Sequence, residues 1–367
     1  MEIKRNVLLN PGPATTTDSV KLAQVVPDIC PRELEFGHIM EEISKDLVSF
    51  VGNYDTYESV LFGGSGTAGV EAVLSSVIGE QDKVLIINNG AYGKRMCQIC
   101  DVYGISYIEY NSSNISPVSM EQLEHTIIEN KDSLTHLACI HNETTTGLLN
   151  DITAIGQLAK KYSLTFIVDA MSSYAAVPID MEKMNISYLI ASSNKNIQGM
   201  AGLVFVIANR EKLLSLKEKK ARSFYLNLYA QYNYFVKTKQ LRFTPPVQVV
   251  YALQQAIKEL KEETVEGRYK RYTKSWEVLL KGLEKLGLTY LVHKENQSHI
   301  ITTVVEPEIE GYSFEGMHEY LLERGYTIYP GKIGEANTFR IANIGAIDYK
   351  DMEGFLKELG NYLNSLL

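Results

Sequence analysis

Between residues 51 and 210 the apolar positions fall in short, nearly continuous runs, each closed by turn-forming residues and followed by a segment of helical period. ESVLFGG (58–64), KVLIINNG (83–90), ISYIEY (105–110), HLACIHNETTTG (136–147), LTFIVDAMSS (164–173), YLIASSNK (188–195) and GLVFVIANR (202–210) read as strands, and AGVEAVLSSVI (68–78) and ITAIGQLAKKY (152–162) as helices. Strands apolar on both faces, separated by helices of about 10–15 residues, predict an α/β fold with a mainly parallel sheet covered on both sides. Upstream, Phe36, Ile39, Met40, Ile43, Leu47 and Phe50 recur at helical spacing between Glu33 and Val51, after a largely extended start interrupted by Pro11, Pro13, Pro27 and Pro31. Residues 211–240 break the alternation with an aromatic-rich stretch, SFYLNLYAQYNYF (223–235), which suits a cleft wall, a subunit contact or a buried packing surface. RFTPP (242–246) then stops regular structure. Strong helical patterns follow, and the last part of the chain alternates strands (ITTVVE, FRIANIG) with helices. The pattern divides into a large domain over 1–260 and a smaller α+β domain over 261–367.

Length and charge narrow the classes. A chain of 367 residues buries roughly three quarters of its extended surface, so it folds without disulfide or metal staples. Its net charge of −8 gives no support to nucleic-acid binding, yet leaves room for one basic pocket. No run approaches 18 apolar residues, which argues against a membrane span, and the start MEIKRNVLLNPGP is too short for a signal peptide; the expected location is the cytoplasm. Of four cysteines, Cys97 and Cys100 form CQIC on a helical pattern with both thiols on one face; no second Cys/His pair follows, so no metal site is expected.

Candidate chemistry sits at the strand ends, which converge on one crevice in an open parallel sheet. Gly63-Gly64-Ser65-Gly66-Thr67 joins a strand to a helix, where free N–H groups suit a phosphate; a plain tight turn is the alternative. Asp169 ends Phe166-Ile167-Val168, where a carboxylate is costly without a positive partner. Lys195 follows another apolar run, Tyr92 lies in NNGAYG, and His141 to Gly147 supply short polar side chains. An amine for a Schiff base, a carboxylate for a pyridine nitrogen and a phosphate cradle are the set that pyridoxal 5'-phosphate requires.

The words carrying these residues are NPGP (10–13), GGSGT (63–67), NNGAYG (88–93), HNETTTGLLN (141–150), DAMSS (169–173), SSNKNIQG (192–199), RFTPP (242–246), YPGK (329–332) and FRIANIG (339–345). Together they resemble the class V aminotransferases of fold type I over nearly the whole length. The resemblance implies a seven-stranded, mainly parallel sheet in the large domain and pyridoxal 5'-phosphate as cofactor. It implies Lys195 as the Schiff-base lysine and acid/base, and Asp169 as the partner of the ring nitrogen. Tyr92 would stack on the ring. Ser65, Gly66, Thr67 and Ser192 would hold the phosphate together with Thr244 from the second subunit of a homodimer. Thr145 would sit near the ring hydroxyl, and Arg340 would take the carboxylate of pyruvate or alanine. The branch most like this chain moves the amine of 2-aminoethylphosphonate to pyruvate, in phosphonate metabolism; the alternative is an alanine–glyoxylate or serine–pyruvate type acting on another small donor. Cys30-Pro31-Arg32-Glu33 and Ser193 depart from the family pattern, and Arg32 is the second guanidinium expected to meet an acidic substrate end.

Overall fold

The computed structural model describes residues 3–333 and 336–367. Seven strands form its central sheet: β1 (Tyr57–Gly63), β2 (Val84–Asn88), β3 (Tyr107–Asn111), β4 (His136–Ile140), β5 (Thr165–Asp169), β6 (Tyr188–Ser192) and β7 (Leu203–Asn209). Their spatial order is β1-β7-β6-β5-β4-β2-β3. β7 runs antiparallel to both its neighbours, and the other pairings are parallel. The α/β fold with a mainly parallel seven-stranded sheet is therefore present. An apolar run gives burial and length but not direction, which is why β7 read like its parallel neighbours.

Successive side chains of a strand point to opposite faces, and the two cores follow that alternation. Phe166 and Val168 of β5, with Leu189 and Ala191 of β6, join Met40, Ile43 and Leu47 from α1 (Leu34–Ser49) on one face. Ile167 and Ile190 join Val70 and Val73 of α2 (Gly66–Val77) and Met96, Cys97 and Cys100 of α3 (Ala91–Tyr103) on the other. Burial pushes the two α3 thiols up, to about 11 and about 12.

The stretch that broke the strand–helix alternation contains helices at Arg210–Ser215 and Leu228–Thr238, and α5, after α4 (Ile152–Lys161), begins directly behind the proline pair, as Val247–Glu263. α6 (Val265–Lys285) leads to a second sheet of β8 (Ile301–Val305), β9 (Tyr329–Ile333) and β10 (Ala336–Ala342), with β10 central and antiparallel to both neighbours. β9 escaped the sequence pattern because Pro330 and Gly331 lie inside it. Trp276, Leu279, Phe339, Ile341 and Phe355 form the separate core of this unit. Val7 and Leu9 belong to that core too: the short strand Val7–Leu8 pairs in parallel with Tyr326–Thr327. The chain then crosses towards the large sheet, and that crossing places residues 10–13 over the site.

α4 can pack against the turn that precedes β6 because Gly156 has no side chain. A Cβ there would lie 1.9 Å from the Met184 carbonyl oxygen. Gly156→Ala is expected to lower unfolding free energy by about 1–3 kcal/mol, the scale of an overpacked core, in chemical denaturation. An unchanged denaturation midpoint would show that the helix can shift at no cost.

Candidate active site

The carboxyl ends of β1, β5 and β6 open on a cleft of about 480 Å³. Gly64, Ser65, Gly66 and Thr67 line one side, where α2 begins with Ser65 as its N-cap. The first N–H groups of that helix carry no intrahelical partner, and the dipole favours negative charge there. Ser192, Asn194 and Lys195 line the opposite side, with Tyr92 and Arg95 from the first turn of α3 and Asp169 at the floor. Four separate words of the sequence thus meet in one cleft.

Asp169 is buried, and its Oδ1 accepts the Met171 N–H at 2.8 Å. Burial raises its pKa to about 6; the Met171 hydrogen bond opposes this, and the Glu143 carboxylate adds to it. Lys195 shows the opposite shift. Burial lowers its amine to about 8, with the positive charge of Arg340 adding to the effect and Asp169 opposing it. An amine poised near neutrality is a far better nucleophile and base than an exposed lysine.

The N-terminal NPGP word covers this amine. Lys195 Nζ donates to the Pro11 carbonyl at 2.6 Å, and the Ala14 N–H donates to the Asn194 carbonyl at 3.0 Å. Gly12 has φ +132°, and a Cβ on it would lie 2.3 Å from Nζ, so only glycine lets the backbone pass so close.

Glu143 is a site residue that sequence reasoning missed. Fully buried, it accepts from the Tyr92 N–H at 3.3 Å, the Thr145 N–H at 3.1 Å and Thr145 Oγ1 at 2.5 Å. It thereby ties the Tyr92 turn to the Thr145 turn. Burial raises its pKa. Its place in HNETTTG gave a signal, a carboxylate amid short hydroxyls, but its link to the Tyr92 N–H, 51 residues away, is one that no spacing rule discloses. Arg95 was missed as well; its guanidinium stands over the Tyr92 ring at 4.8 Å.

Arg340 of β10 lies beside the cleft rather than in its lining. It donates to the Pro330 carbonyl at 2.9 Å and the Thr144 carbonyl at 3.4 Å, while its buried Nε finds no hydrogen-bond partner among the described residues. Thr244 is exposed, on the segment whose Pro246 packs behind Gly63 and Gly202. Arg32 does not enter the cleft of its own chain. Its guanidinium donates to the Leu241 carbonyl at 2.7 Å, Gln240 Oε1 at 3.0 Å and the Arg242 carbonyl at 3.3 Å, so it braces the segment that carries Thr244.

The family profile described as "Aminotransferase class-V" matches residues 21–335. The chain belongs to this family. It is 40% identical over 364 residues to the 2-aminoethylphosphonate–pyruvate transaminase of Klebsiella pneumoniae, covering 98% of each chain. It is 42% identical over 361 residues to the bifunctional phosphonoacetaldehyde hydrolase/aminoethylphosphonate transaminase of Clostridioides difficile; the match spans 98% of this chain but only 56% of that longer protein. In fold it is similar to the alanine–glyoxylate aminotransferase of Nostoc, with a TM-score of 0.90 at 24% identity, covering 99% of this chain and 96% of the other.

The cofactor of this class V aminotransferase is pyridoxal 5'-phosphate, and the cleft fits it. A Cβ on Gly66 would lie 2.6 Å from Met171 Sδ, so any side chain there would have to push the Met171 thioether aside, and glycine keeps the start of α2 open as a cradle. The buried Asp169 carboxylate faces the same space as the Lys195 amine and, among the described residues, forms no salt bridge.

Competitive labelling of Lys195 in cofactor-free protein is expected to follow a pKa near 8, since its neutral amine is favoured by burial against the pull of Asp169. A labelling curve centred near the ordinary lysine value of about 10.4 would contradict the buried setting.

Proposed function

We propose that this chain transfers the amine of 2-aminoethylphosphonate to pyruvate, giving phosphonoacetaldehyde and L-alanine, as a cytoplasmic homodimer with a large PLP-binding domain over 1–260, whose N-terminal extended segment packs on a small domain over 261–367. One observation carries the reading. The amine, carboxylate and helix N-terminus that PLP requires converge in a single cleft, in a chain 40% identical, over 98% of both lengths, to a relative named for this reaction. Bound PLP supplies an electron sink for the pair left behind when a proton leaves the amine-bearing carbon of the donor.

In this reading the protein's own groups do the rest. Lys195 holds the cofactor, then removes and returns the proton through Nζ. Asp169 keeps the pyridine nitrogen protonated, and a cation beside it favours the carboxylate form that burial alone disfavours. Ser65, Gly66 and Thr67 hold the phosphate with Ser192; Tyr92 stacks on the ring and Thr145 sits near its hydroxyl. Arg340 offers its unpartnered Nε to the carboxylate of pyruvate or alanine, and a planar guanidinium also matches phosphonate oxygens.

Thr244 reaches the phosphate bound in the second subunit. Support comes from its exposure and from the aromatic groups beside it: Phe224 is 80% exposed and packs on Phe243, which stacks on Tyr225. A single chain leaves such side chains uncovered, whereas an interface buries them. The four free cysteines suit a reducing compartment, and among the described residues no helix is long and apolar enough to cross a membrane.

A donor screen with pyruvate as acceptor tests the substrate. Alanine is expected in step with 2-aminoethylphosphonate consumed; turnover with alanine and glyoxylate, or with serine, but none with the phosphonate would replace the donor. Arg340→Lys keeps the charge and loses the two-pronged fit. Its kcat/KM for pyruvate is expected to fall by at least about tenfold with cofactor absorbance unchanged. A change within twofold would remove Arg340 from substrate binding.

A further inference from the structure

Arg268, near the start of α6, is the largest fully buried side chain, only 1% exposed. A guanidinium at that depth is tolerable only when its donors are matched. Nε donates to Glu263 Oε2 at 2.7 Å, and Nη1 donates to the backbone carbonyl of Asn196 at 2.6 Å. Asn196 directly follows Lys195. Its side-chain amide donates to the carbonyls of Ser172 and Tyr174 at 2.8 and 3.2 Å, in the turn that follows Asp169. Two residues on, Gln198 has φ +66° and donates through Nε2 to Tyr272 Oη at 2.8 Å. Tyr272 lies one helical turn beyond Arg268, so one face of α6 grips the lysine turn at two points.

Glu263 is itself fixed from a second direction: Arg271 Nε donates to Oε1 at 2.6 Å. The cavity beyond, about 330 Å³, is walled by Arg5, Arg271, Glu263 and Asp351, and its cations already face carboxylates. It is a brace: Arg5, Arg268 and Arg271 each face a carboxylate there, and Glu259 and Asp348 line it besides.

We infer that Arg268 is a positioning residue for Lys195: anchored by Glu263, its guanidinium holds the Asn196 carbonyl and so sets the direction in which the lysine side chain enters the cleft. The inference rests on Lys195 as the cofactor-bearing lysine proposed above. Among the described residues that carbonyl has no other hydrogen-bond partner. Without Arg268 the peptide after Lys195 can turn, and a small misplacement of a reacting group can cost as much as about a hundredfold in rate.

Three variants test this: Arg268→Met, Arg268→Lys and Glu263→Gln. For each, the melting temperature, the rate at which cofactor-free protein gains visible absorbance with added PLP, and kcat and KM for pyruvate are measured. Arg268→Met is expected to capture PLP and turn over at least about tenfold more slowly, with KM within twofold. Arg268→Lys, which keeps a charged donor, is expected to recover most of the capture rate. Glu263→Gln alters a half-buried side chain and is expected to fold, slowing capture by at least about twofold, as loss of one charged hydrogen bond implies. Capture and kcat within twofold of the parent in Arg268→Met would overturn the inference, as would a loss fully reversed by more PLP. Unchanged capture in Glu263→Gln would overturn it even if Arg268→Met fails to fold. A parent chain that gains no absorbance with PLP would overturn the Lys195 reading itself, and this inference with it.

Discussion

Two opposite charges share one buried cleft at the ends of neighbouring strands, and the rest of the site is arranged around that constraint. Taking Asp169 and Lys195 out of water disfavours both charged forms, drawing the carboxyl up to about 6 and the amine down to about 8. Neither shift follows from the residue alone. Both need the deep end of a sheet covered on two faces, which the alternation of Phe166, Ile167 and Val168 between two cores supplies. Glu143, a second buried carboxylate, pushes Asp169 further towards its neutral form, and Arg340 does the same to Lys195. A cationic ring nitrogen bound at Asp169 would relieve the strain on one side of the pair, which is the physical basis of the proposed cofactor pose.

The two sheets are joined at this cleft by short connections. The Val7–Leu8 strand fixes the start of the chain on the C-terminal unit, and residues 10–13 then pass over Lys195. From the other direction, Arg340 on β10 reaches the Thr144 carbonyl, and Thr303 Oγ1 of β8 donates to the Thr145 carbonyl at 3.1 Å. The turn carrying Thr145 is thus held between Glu143, just beyond the end of β4, and the strands of the smaller sheet. A substrate carboxylate at Arg340 would bind a group already linked to the walls of the proposed cofactor site.

Much of this was legible in the sequence, for a physical reason. Asp169, Lys195 and the Gly63–Thr67 turn each end an apolar run, and a polar or glycine residue at that point needs a partner or a purpose. Their convergence follows from the parallel sheet. Glu143, Arg268 and the Pro11 carbonyl were not legible, because each joins the site through a contact between a side chain and a backbone group distant in sequence. Arg32, expected from its proline-rich loop to meet an acidic substrate end, donates within its own chain to three acceptors on residues 240–242, contacts that sequence spacing does not disclose. The direction of β7 and the strand through Pro330 were hidden because hydrophobic pattern encodes neither polarity of a strand nor tertiary override of local preference.

The central claim is that the buried Asp169 carboxylate supplies the charge that makes proton removal from the donor possible. It is tested most directly by the single-turnover rate of proton loss from 2-aminoethylphosphonate in Asp169→Asn protein saturated with PLP. The amide keeps the shape and a hydrogen bond but cannot balance a cationic ring. The rate is expected to fall by at least about a hundredfold, the scale of removing one preorganised partner from a buried site. An unchanged rate in fully loaded protein would contradict the account.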